Sequence, residues 1–331
     1  MKKLLKISLP LALAFPLIAL SCQNNLETKK SINENNSNLT NLNTNKDFNT
    51  SAIKELINDY ISSDPIKQNE FINNQNNILD AKFNEIKYAL TFFVPYILSA
   101  EDKAGDFLRL VKESKKIIID TLQSNWYWYL KNIDKFSFAL NPYGDQNKDL
   151  DKAKEYILKA QQEFKDLQYI NKGNAIDEVY YLPWLTYDKV KKFELYKNKR
   201  IAYLFLNDKT VLRAYTYELN NQKVFKLLPD VIYLSDSTSR ENSKEILKEL
   251  EQKMLEKRIK LIEDDVEYER TSDAHPDTVD VNKFYKFYTD KQESDLFNFE
   301  AYNDDIARAV LDMFKENKHI YRFTWRWVNE K

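Results

Sequence analysis

The chain has 331 residues, with 50 basic against 51 acidic side chains and a formal net charge of −1. That balance disfavours nucleic-acid binding, which needs a surplus of positive charge on one face. With three glycines, two histidines and one cysteine, no Gly-rich phosphate loop can be built, and little remains for a metal centre or an imidazole-based triad.

The first 22 residues read MKKLLKISLPLALAFPLIALSC. Lys2, Lys3 and Lys6 form a positive n-region, and residues 7–20 form an apolar run broken by Pro10 and Pro16. This predicts a secretory signal peptide over 1–21, too short and too interrupted to span a membrane. With the leader removed, 47 basic residues face 51 acidic ones. Ala19 to Cys22, ALSC, resembles the bacterial lipobox. The resemblance implies cleavage before Cys22, diacylglycerol on its thiol and an acyl chain on its amino group. Burial of an acyl chain yields about 0.8 kcal/mol per CH₂, so three long chains would hold the protein to a membrane.

Residues 22–50 follow as a segment with ten asparagines and few large apolar side chains. It cannot bury enough apolar surface to offset its ordering entropy, and a disordered tether is expected, reaching on the order of 30 Å.

From residue 51 the pattern is helical. Ile72, Leu79, Phe83, Ile86, Leu90, Phe93 and Ile97 recur at three- and four-residue steps, predicting a long amphipathic helix with a kink or break at Pro95. A second helix is predicted over 101–122, continuing into or turning at NWYWYLKNIDKFSFAL. NPYGD at 141–145 is a turn. A third helix is predicted over 149–170, with Ala153, Tyr156, Ile157, Ala160, Phe164 and Leu167 on one face.

Beyond Gly173 three short runs, 201–206, 211–219 and 224–228, are separated by Asn207-Asp208 and Asn220-Asn221, which predicts an antiparallel meander. A charged helix is expected over 239–264, a strand in VNKFYKFYT and a helix in SDLFNFEAYNDDIARAVLDMFKEN. The closing HIYRFTWRWVNEK alternates Tyr321, Phe323, Trp325 and Trp327 with Arg322, Thr324 and Arg326. As a strand it has one aromatic and one cationic face. The fold class expected is α+β: a helical region at 51–172, and a region at 173–331 with a small antiparallel sheet and flanking helices. The two regions can also form one continuous domain.

Chemistry-bearing patterns are few. Asp145, Asn147, Asp149 and Asp151 match the alternating ligands of a calcium loop, but Leu150 replaces its turn glycine and Tyr156 its closing glutamate. Acids complementing a helix N-terminus account better for Asp149 and Asp151. His275 sits before Pro276 and His319 opens the last strand, neither with a visible second ligand or base. No catalytic residue, metal or cofactor is expected. Aromatic residues make up 14% of the chain. Trp126 and Trp128 in WYWY, and Trp325 and Trp327 at the end, are candidates for contact with a protein partner, although core packing is the commoner use of such rings.

Taken with the lipobox and the Asn- and Lys-rich segment, the low-glycine helical body resembles a Borrelia plasmid-type surface lipoprotein. The resemblance is specific over roughly the first 50 residues and compositional beyond them. It implies lipidation at Cys22, an outer-membrane location and binding of host proteins, in adhesion or in evasion of complement. The expected function is a non-catalytic interaction protein displayed on the surface. A periplasm-facing structural or envelope-assembly lipoprotein is the alternative, and a carboxylate-based hydrolase the third reading.

Overall fold

The computed structural model describes residues 48, 50–92, 105–142, 150–170, 176–182, 199–219, 221–272, 280 and 299–327. Helix α1 (Ser51–Tyr60) starts where the Thr50 hydroxyl accepts the Ile53 N–H and donates to the Ile176 carbonyl. That one side chain caps the helix and ties it to a segment distant in sequence. Ala52, Ile53, Leu56 and Ile57, spaced as one helical face, are buried. Phe48 is buried against Tyr127, ring centroids 5.1 Å apart. The folded body therefore begins inside the segment expected to be tether, and Asp47–Lys331 is one compact unit.

The long helix expected through residues 72–97 is two helices, α2 (Pro65–Asn76) and α3 (Asp80–Phe92). The chain leaves helical geometry at Asn77 and exposes Leu79, which the periodic stripe had counted as core. Two consecutive asparagines, weak helix formers, make that break cheap. Pro95 lies outside the described residues. Helices α4 (Gly105–Ser124), α5 (Trp126–Lys131) and α6 (Leu150–Glu163) follow. Between α5 and α6 runs strand β1 (Phe136–Leu140), and after α6 comes β2 (Gln168–Ile170). The predicted helix 149–170 therefore stops at Glu163 and its last residues join the sheet.

The remaining strands are β3 (Glu178–Tyr181), β4 (Lys199–Phe205), β5 (Thr210–Leu219), β6 (Gln222–Leu234) and β7 (Ile320–Trp327). Helices α7 (Arg240–Ser272) and α8 (Phe299–Lys315) lie between β6 and β7. The run VNKFYKFYT lies outside the described residues. The strands form one antiparallel sheet in the order β2-β1-β7-β6-β5-β4-β3. The expected meander is present as β4-β5-β6, and the α+β class holds. The sheet is not confined to the C-terminal half, however: β1 and β2 come from the region expected to be helical, and β7 joins them to the meander.

Asn221 closes the β5–β6 hairpin at φ 59°, a left-handed value that asparagine tolerates. The β5–β6 ladder shifts register between Leu212 and Ala214, opposite Leu228, Pro229 and Asp230. A proline inside a strand offers no N–H to the ladder, so the irregularity falls where the sequence demands it.

Helices cover both faces of the sheet. Trp325 packs on Tyr129 of α5, and α3 and α4 contact β7 and β6. Arg322 points the opposite way, since side chains alternate along a strand. Its face carries Ile232, Val211 and Phe205 by register, and Arg240 of α7 stacks 4.4 Å over the Phe205 ring. Arg322 and Thr324 are consequently buried, and only Arg326 of the expected cationic face is exposed.

Candidate functional site

The first five residues of α5 put apolar or aromatic side chains on every side, a pattern that fits a helix segment surrounded by protein, and only the closing Lys131 is exposed. Trp126, Tyr127, Trp128, Tyr129 and Leu130 are all buried. Trp126 meets Phe71 at 5.6 Å and Phe225 at 5.0 Å, and Trp128 meets Phe83 and Phe136, each at 6.0 Å. Tyr129 stacks on Phe136 at 5.6 Å and meets the Trp325 edge at 5.3 Å. Trp325 completes the set against Phe136 at 4.9 Å and Phe138 at 5.0 Å, with its Nε1–H directed 3.4 Å from the Leu228 carbonyl. Rings in edge-to-face and offset arrangements of this kind contribute beyond their buried area. The cluster ties helices α2, α3 and α5 to strands β1, β6 and β7.

This placement corrects part of the reading of the aromatic residues. Trp126, Trp128 and Trp325 are core, with 3%, 8% and 1% of their surface exposed, and of the three Trp126 lines an open cavity. Trp327 continues β7 opposite Phe136. The Tyr129 hydroxyl lies 2.9 Å from Thr121 Oγ1, and burial raises its pKa far above the ordinary 10.0.

Among the described residues, three ion pairs lie inside the body. Arg322 Nε donates to Asp230 Oδ1 at 2.7 Å, with both side chains 0% exposed. Arg213, at the register shift, grips Glu251 of α7 through Nε at 2.5 Å and Nη2 at 2.7 Å, and the Tyr203 hydroxyl donates to the same carboxylate at 2.5 Å. Burial lowers the Arg213 pKa, but the neighbouring Glu251 carboxylate outweighs it and holds the guanidinium above its ordinary value. Burial, then the Glu251 charge, pushes the Tyr203 phenol well up. Arg258 of α7 binds Asp305 of α8 through Nε at 2.9 Å and Nη2 at 2.6 Å. Each charge is matched in place, which makes these groups structural fasteners: strand to strand, sheet to helix, and helix to helix.

Among the described residues, an open cavity of about 400 Å³ reaches the aromatic cluster from outside. Its apolar wall is Tyr60, Phe71, Trp126 and Phe225, and Asp120 and Lys223 stand in its lining as charged groups. Five elements build it: α1 and α4 at their C-terminal ends, α2, the first residue of α5, and the first residues of β6. This is the place where the buried cluster and a polar surface meet. None of its charged residues stands out in the sequence. The signal that could have found them is Asp120 on the polar side of α4, one helical turn from Ser124 and the α4 C-terminus.

The other residues singled out in the sequence fall elsewhere. His319 donates its backbone N–H to Asp236 Oδ2 at 2.7 Å, and its Nδ1 lies 3.1 Å from Asp236 Oδ1. It also meets the Phe314 ring edge-on, so the side chain pins the start of β7. Asp151 is in the first turn of α6. Cys22, His275, Asp145, Asn147 and Asp149 lie outside the described residues. Among the described residues, no three His, Cys, Asp or Glu side chains gather as a metal group, and no helix is long and apolar enough to cross a membrane.

The family model described as aromatic cluster surface protein matches residues 27–324, nearly the whole chain, and the protein belongs to that family. No curated protein and no solved structure matches.

Proposed function

We propose that this aromatic cluster surface protein is held to the outside of a bacterial cell by lipid on Cys22, and acts there as a non-catalytic interaction protein for a host protein. The observation that carries the reading is the family match across residues 27–324, which makes the folded body that of a surface protein. The leader, the lone Cys22 and the Asn-rich segment after it supply the anchor and the stand-off from the lipid. The resemblance of that N-terminal part to Borrelia surface lipoproteins supports the outer membrane as the site of anchoring. Two histidines and three glycines give hydrolytic or nucleotide chemistry little to work with. The buried carboxylates Asp230, Glu251 and Asp305 are engaged by arginines and support a structural use for the strongest charges.

The test is protease treatment of intact cells beside a periplasmic control protein. Loss of the protein while the control persists is the expected result. Survival of the protein while a known surface marker is lost overturns surface display and favours a periplasm-facing role. Mass spectrometry of the N-terminal peptide checks the anchor separately: a diacylglyceryl adduct on Cys22 is expected, and an unmodified thiol refutes it.

A further inference from the structure

We infer that the cavity beside Trp126 is a receptor for a basic side chain, lysine or arginine, carried by a protein partner. This rests on the reading of the chain as an interaction protein and names the chemistry of one contact. The wall supplies aromatic surface: Phe71 and Phe225 flank Trp126 at 5.6 and 5.0 Å, and Tyr60 continues the row 5.6 Å beyond Phe225. Rings attract cations to their faces, and the attraction strengthens where water is partly excluded. The aliphatic stem of lysine or arginine matches the apolar part of such a wall, leaving the charged head for the polar side.

The polar side favours a cation. Asp120 contributes a full negative charge to the lining. The C-terminal ends of α1 and α4 both reach the cavity, and helix C-termini carry partial negative charge. The opposing start of α5 is a six-residue helix whose Trp128 N–H is already accepted by Gln75 Oε1 at 3.3 Å. Lys223 is the one cation among the described residues of the lining, and the β5–β6 register sets it directly opposite Glu218. The Ser124 carbonyl at the α4 end is taken by Gln75 Nε2 at 3.1 Å, so an anionic guest would face Asp120 and the negative end of α1. A cavity of about 400 Å³ has room for one long side chain with its hydration.

The experiment is a titration of the purified protein followed by amide NMR shifts. The probes are N-acetyl-arginine methylamide, N-acetyl-lysine methylamide and the neutral N-acetyl-norleucine methylamide. Saturable shifts centred on Asp120, Gln123, Ser124 and Lys223 are expected with the two cationic probes and not with norleucine. Asp120→Asn, an exposed change that leaves the fold alone, should weaken the binding several-fold, and Lys223→Glu should strengthen it several-fold. Equal binding of norleucine, shifts centred elsewhere, absence of shifts with the cationic probes, or indifference to both substitutions overturns the inference. The titration needs no cells, so its failure leaves the protease result standing, and the reverse also holds.

Discussion

The Arg322–Asp230 pair offers the sharpest test of how this fold is held. Both side chains are fully buried, on adjacent strands, with Asp230 directly opposite Thr324 and diagonal to Arg322. Asp230→Leu removes one charge and leaves the guanidinium in a site with no access to water. Breaking a buried pair from one side costs about 3–5 kcal/mol, which is a large share of a typical total stability of about 5–15 kcal/mol. Arg322→Met should cost at least as much, since Arg322 makes further contacts besides Asp230. The Tyr156 hydroxyl accepts the backbone N–H of Arg322, a bond that side-chain replacement leaves in place. The double variant Asp230→Leu with Arg322→Met removes both charges and keeps most of the volume. Its stability should recover to within about 1–2 kcal/mol of the parent or exceed it, because neither desolvation penalty remains. Urea unfolding monitored by circular dichroism, with an unchanged denaturant slope as the check on two-state behaviour, measures all four proteins. Single losses below about 1 kcal/mol, or a double variant whose loss equals the sum of the singles, would refute the claim that this pair is desolvated and mutually dependent.

Trp325→Ala should cost about 3–5 kcal/mol, as for other buried aromatics, because the rings of Tyr129, Phe136 and Phe138 and the strand register converge on that side chain; a loss under about 1 kcal/mol in the same urea assay would place the ring at the surface. Arg240→Ala removes contacts to Asp177, Glu178 and Asp208, but all three acids are substantially exposed. Its cost should stay near about 1 kcal/mol and shrink as salt is added, in contrast to the Asp230 variant. Alkaline pH should unfold the protein. The phenols of Tyr129, Tyr156 and Tyr203 are raised above 10.0 chiefly by burial. The unfolded chain loses those protons near pH 10 while the folded chain keeps them, so stability is intact below pH 10 and falls as pH rises above it. Tyrosinate absorbance from these rings should appear together with the loss of circular dichroism; its appearance in a still-folded protein would contradict their burial.

The legible parts of this fold were those with a local period. The β4-β5-β6 meander could be read because alternating apolar residues and asparagine turns lie within a few residues of each other. The α6 stripe was readable through Ala153, Tyr156 and Ala160, all buried. What periodicity could not supply was partnership across the chain. FSFAL, Phe136 to Leu140, is a strand because β7, nearly two hundred residues later, pairs with it. Arg322 and Arg326 look alike in the alternation of the last strand, yet one is buried and the other exposed. Only the helices packed on that face of the sheet decide between them, and no pattern within IYRFTWRW contains them.

The aromatic residues teach the same lesson about function. A sequence rich in tryptophan and tyrosine, in a family of surface proteins, invites the idea that the rings are the contact surface. In the folded chain the rings of α5 and Trp325 are consumed in joining helices to the sheet, work that a chain with so little glycine gives to large side chains. A partner approaching from outside therefore meets the rims of elements, where charge is free to vary without cost to the core. The cavity at Trp126 is where the two regimes touch: its wall is fixed by packing, while Asp120 and Lys223 can change freely. Substitutions at the wall should thus lower stability and binding together, whereas substitutions at Asp120 and Lys223 should change binding alone. Urea midpoints measured beside the NMR titration separate the two effects, and a charged-residue variant that loses stability in step with binding would break this division.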